Sequence, residues 1–111
     1  MSVDDAVAAL LESVLPGEAP LAETLMRMHS DVQARSGLDD RTYLLVRIAA
    51  LVAVDAPASS YVVNLTVADE LGITADDVRG VLIALAPLVG SARAFSGAEK
   101  ALSALATARR L

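Results

Sequence analysis

The chain has 111 residues, of which 55% are hydrophobic, 3% aromatic and 21% charged, with a formal charge of −5. That length fits one domain, and so apolar a short chain carries more hydrophobic surface than its own interior can hide, which points to a homo-oligomer. The acidic balance excludes a nucleic-acid partner, and the absence of cysteine excludes disulfides, thiolate metal sites and cysteine nucleophiles.

One histidine, His29, cannot build a histidine-rich metal site, and no cofactor motif is present. The longest apolar run, Tyr43 to Val54, is interrupted by Arg47 and falls short of the roughly 20 residues that cross a bilayer. The opening "MSVDDAVAALLESV" has acids where a signal peptide carries basic residues. The expectation is a cytoplasmic protein with no metal, no cofactor and no membrane partner.

Hydrophobic spacing is helical almost throughout, which predicts an all-α bundle of about six helices. The first runs over Val3–Leu15, capped by Ser2 and stopped by Pro16-Gly17. A second spans Pro20–Arg35, and a third, Asp40–Val54, starts behind two acids and is apolar nearly all round, so it reads as the central helix. The fourth is expected behind Asp55 as N-cap, with Pro57 in its first turn and Gly72 as a left-handed stop. Thr74 and Asp77 resemble a capping box opening a fifth helix, which Pro87 should kink or end. The sixth covers Ala92–Arg109.

The fourth helix carries an unusual set of uncharged polar residues in "DAPASSYVVNLTVADELGIT". From Gly37 to about Ala101 the layout, including Gly72, Thr74, Asp76, Asp77, Val78 and Gly90, resembles the carboxymuconolactone decarboxylase and alkylhydroperoxidase D-like family. The resemblance implies an N-terminal pair of helices over 1–36 and a helical core over 37–111, within one domain. It also implies a trimer or hexamer. In that family a glutamate precedes a Cys-x-x-Cys-x-x-x-His helix start. Here Leu45 stands at the place of the glutamate, Pro57 and Ser60 at those of the cysteines, and Asn64 at that of the histidine. A further histidine of some relatives falls on Ser59. The thiol peroxidase mechanism therefore has no residues to run on, and neither serine nor asparagine titrates near neutral pH.

Ser60 and Asn64 lie one turn apart on one helix face, forming either a neutral hydrogen-bonding wall for a ligand or local backbone caps. Arg47 must be paired if buried. It either binds a carboxylate ligand or pairs with Asp55, Asp69, Glu70 or another subunit. Tyr61 belongs either to the same cavity or to an interface, and His29 reads as a partly buried histidine. The candidate pocket is Arg47, Ser59, Ser60, Tyr61, Asn64 and His29. Two functions follow: a non-redox oligomeric protein that binds a small organic acid or another protein, or a cofactor-free enzyme acting on an organic acid or lactone through Arg47, Ser60, Tyr61 and Asn64.

Overall fold

The computed structural model describes residues 9, 12 and 16–109, so the helix expected over Val3–Leu15 falls almost wholly outside the described residues. Five helices follow: α1 (Ala19–Ser36), α2 (Asp40–Ala53), α3 (Ala58–Leu65), α4 (Ala75–Val89) and α5 (Ser91–Ala108). No strand occurs among the described residues, and the fold is all-α. Among them, no helix is long and apolar enough to cross a membrane.

The central position expected for α2 follows from its composition. Leu44, Ile48 and Val52 are buried on it, and it packs against all four other helices. Around this stripe gather Tyr61 and Leu65 of α3, Val78 and Leu82 of α4, and Ala101, Ala104 and Leu105 of α5. In contrast, among the described helices α1 packs directly on α2 alone. Gly97 of α5 marks the tightest crossing: a Cβ there would stand 2.8 Å from Cγ2 of Val52, a fully buried side chain.

Local chemistry sets the helix ends. The Asp39 carboxylate accepts from the Thr42 backbone N–H at 2.8 Å, capping α2. At α4 the capping box is complete, with the Asp77 N–H donating to Thr74 Oγ1 at 3.1 Å and the Thr74 N–H donating to Asp77 Oδ2 at 2.9 Å. Arg41 reaches Asp77 at 2.8 Å and ties the two helix starts together.

Three expected boundaries need correction. Asp55 is not the cap of α3, because it closes the preceding helix. The Asp55 N–H donates to the Val52 carbonyl and the Ala56 N–H to the Leu51 carbonyl, with Asp55 left-handed at φ 52°. This is the Schellman arrangement, and it leaves Pro57 at the cap position of α3. The Asp55 carboxylate instead accepts from Ser96 at 2.9 Å and Lys100 at 3.2 Å on α5. Secondly, Pro87 does not end α4, which runs on to Val89. Proline removes the donor that the Ile83 carbonyl would use, and both residues are exposed, so water can take its place.

The fourth expected helix splits: α3 stops at Leu65, and turns carry the chain to Gly72. The Ile73 N–H donates to the Ala68 carbonyl and the Gly72 N–H to the Asp69 carbonyl, with Gly72 at φ 70°. The left-handed glycine stop is therefore present, but it closes a turn segment.

Gly97→Ala should destabilise the protein by about 1–2 kcal/mol in chemical denaturation, since overpacking against Val52 outweighs the helix-propensity gain. Val52→Ala should cost less in that background than in the wild type, because it relieves the clash. A Gly97→Ala protein as stable as the parent would refute the crossing geometry.

Candidate functional site

Arg47 sits in the middle of α2, half-buried, where α1, α2 and α3 converge. Its Nε–H donates to Asn64 Oδ1 on α3 at 2.8 Å. One Nη1–H donates to the Tyr43 hydroxyl on α2 at 3.0 Å, and Nη2 donates to His29 Nε2 on α1. A guanidinium has no acceptor, so His29 must accept at Nε2 and carry its ring proton on Nδ1. Burial first, and the Arg47 charge second, push the His29 pKa below its ordinary 6.5.

The surrounding atoms hold this arrangement in place. Asn64 Nδ2 donates to the Ser60 carbonyl at 2.8 Å, which fixes the amide with Oδ1 toward Arg47. The Arg47 guanidinium carbon also lies 5.3 Å from the centre of the Tyr43 ring, and His29 meets the same ring edge-on at 6.4 Å. Tyr43 was missed in the sequence reading, although it stands one turn before Arg47 on the same face.

Two clefts share this cluster as a wall. One, of about 310 Å³, is lined by polar groups including Gln33, Asp40, Thr66 and Glu70. The other, of about 390 Å³, is lined by Leu25, Met28, Val32, Leu51, Ser60 and Val63. His29, Arg47 and Asn64 border both.

The structure thus brings His29, Arg47, Ser60 and Asn64 together and leaves the other candidates apart. Tyr61 points the opposite way, into the core with Leu65, and is fully buried. Its hydroxyl has no hydrogen-bond partner among the described residues, and burial, then the Asp55 charge, raise its pKa. Ser59 is half-buried and lines neither cleft. Pro57 is exposed at the start of α3, and Leu45 packs against the core. Ser60 and His29 line the same cleft, yet no hydrogen bond joins them, so no serine–histidine pair forms.

Arg47 also departs from the expected ion pair. Among the described residues no carboxylate lies within 4.0 Å of it: Asp55 binds Lys100, and the other ion pairs are on Arg27, Arg35, Arg41 and Arg79. Three of its five N–H donors are spent on neutral acceptors, leaving one on each Nη nitrogen. Donors left on the terminal nitrogens of a guanidinium can serve a carboxylate. Among the described residues no cluster of His, Asp and Glu has the arrangement to hold a metal ion.

No curated protein and no solved structure matches the chain significantly. The sequence profile of the carboxymuconolactone decarboxylase family does, over residues 19–108, which takes in all five helices. The chain belongs to the carboxymuconolactone decarboxylase family.

Proposed function

We propose that the protein is a non-redox, oligomeric, cytoplasmic binder of small organic anions, with the Arg47 guanidinium as the group that holds the anion. One observation carries this reading: a half-buried arginine with three neutral partners, two unspent donors and no carboxylate beside it. A partly buried cation without a counter-ion is costly, and an anionic ligand offsets that cost. Binding is favoured over turnover because His29 is the one group touching Arg47 that titrates near neutral pH, and its Nε2 is already engaged.

Arg47→Met should weaken saturable acetate binding, followed by NMR titration, at least about tenfold, the scale of a lost charged hydrogen bond. Arg41→Met, which removes a cation paired to Asp77, should leave it intact. Equal acetate affinity in the Arg47 variant and the parent would sink the assignment.

The His29 shift gives binding a pH dependence. With its folded pKa below 6.5, the unfolded chain takes up the proton first. Stability from this group is therefore full above the ordinary value and is lost as pH falls through the folded one. A bound carboxylate raises that pKa again, so binding takes up protons and acetate affinity should rise as pH falls below 6.5 and stay flat above it. Tyr43 touches His29 from α2, and Asp40 and Glu70 line the adjoining cleft. A His29→Gln protein controls for all three and should show a flatter profile. Identical profiles would remove His29 from the site.

Oligomerisation rests on separate surface. Ile83 (75% exposed), Leu88 (82%) and Phe95 (76%) stand open on α4 and the start of α5. Light scattering at micromolar concentration should give a trimer or hexamer, and a monomer would refute this.

A further inference from the structure

We infer that the anion held at Arg47 is a monocarboxylate with an aliphatic tail, lying in the apolar cleft between α1 and the α2–α3 pair, and not a dicarboxylate. The inference rests on the anion-binding reading of Arg47 and adds the class of molecule. The cleft of about 390 Å³ has the size and make-up of a small-molecule site: largely apolar walls with a few polar groups gathered in one place. Leu25, Met28 and Val32 recur at helical spacing along one stripe of α1, each close to half exposed (47%, 58% and 50%). Leu51 and Val63 form the facing wall, and Arg47 is the sole cation among the lining residues.

The charges exclude a second acidic group. In the apolar cleft it would meet aliphatic carbon, the Ser60 and Asn64 side chains and a neutral His29, so it would lose part of its hydration and find no counter-ion. Across the shared wall, Asp40 and Glu70 line the polar cleft, and like charges there repel it. One available cation, flanked by an apolar groove on one side and acids on the other, selects one negative head and one greasy tail.

Calorimetric titration of the intact protein with acetate, octanoate, octanedioate and octanol tests the inference, each ligand against wild type, Arg47→Met and Val32→Asp. Each fully buried methylene is worth about fourfold in affinity. Even with an open groove, octanoate should bind at least about tenfold tighter than acetate, with octanedioate at least about tenfold weaker than octanoate. Arg47→Met should weaken both monocarboxylates, and Val32→Asp should weaken octanoate far more than acetate. Acetate and octanoate binding equally, both through Arg47, would overturn the tail while leaving the anion site standing. Octanedioate matching octanoate would overturn the single-charge requirement. Octanol matching octanoate, or octanoate indifferent to Arg47→Met, would mark the stripe as an apolar contact surface, such as one covered by a second copy of the chain. Failure of every carboxylate to bind would instead remove the anion site itself.

Discussion

The central helix must accommodate a permanent positive charge in the middle of an apolar run. Arg47 sits between Leu44 and Ile48, which are buried, so its side chain leaves α2 away from the core stripe. It does so by reaching Asn64 on α3 through Nε and His29 on α1 through Nη2. These bonds fix where α1 stands. Among the described helices it packs directly on α2 alone, and the hydrogen bond to His29, the His29–Tyr43 ring contact and the Gln33 amide donating to Asp40 Oδ1 are polar anchors to the bundle. Both clefts are lined by residues of α1, α2 and α3.

Other cations on the chain show what Arg47 does without. Arg41 meets Asp77 across two helix starts, and Lys100 meets Asp55 and the Ala56 carbonyl at the α2–α3 corner. Both are partly exposed pairs whose contribution to stability is small and whose geometric role is to pin element ends. Arg47 is more enclosed than a typical surface arginine and yet has only neutral acceptors. A guanidinium tied by three hydrogen bonds is rigid, so an incoming carboxylate meets donors already in place and loses little to ordering.

Much of the frame was legible in the sequence because its signals are local. Asp39 before α2 and the Thr74–Asp77 pair before α4 act within a few residues of themselves, and both caps form as their spacing suggests. Asp55 misled because one residue can end a helix or begin the next, and sequence spacing alone does not rank the two. The structure resolves this through a left-handed backbone at Asp55 and a tether to Ser96 and Lys100, both more than forty positions along the chain. The site divided along helical periodicity. Ser60 and Asn64 fall on the cleft face of α3, while Tyr61 and Leu65, each one position further, fall on the core face. Adjacency in sequence grouped Ser60 with Tyr61, and the 100° step between neighbours on a helix separated them. Arg47 drew attention as a charge in an apolar run, but the neutrality of its partners depends on which side chains the fold brings near. No local pattern encodes that.

The family membership and the site point in the same direction for a physical reason. The resemblance places Ser60 and Asn64 where relatives carry a thiol and an imidazole, groups whose reactivity depends on a proton leaving or arriving. Substituting a hydroxyl and an amide removes that titration but keeps hydrogen-bonding atoms at the same turns of the helix. The amide then serves a different partner: its carbonyl oxygen receives Arg47, and its nitrogen is returned to the Ser60 backbone. What a reactive pair would supply as chemistry, this pair supplies as orientation. The one neighbour that still titrates near neutral pH, His29, is held neutral by burial and by Arg47 itself. The cluster keeps a positive charge, held by three neutral acceptors, at the edge of an apolar groove. Those are the features from which we propose a receptor for an amphipathic anion.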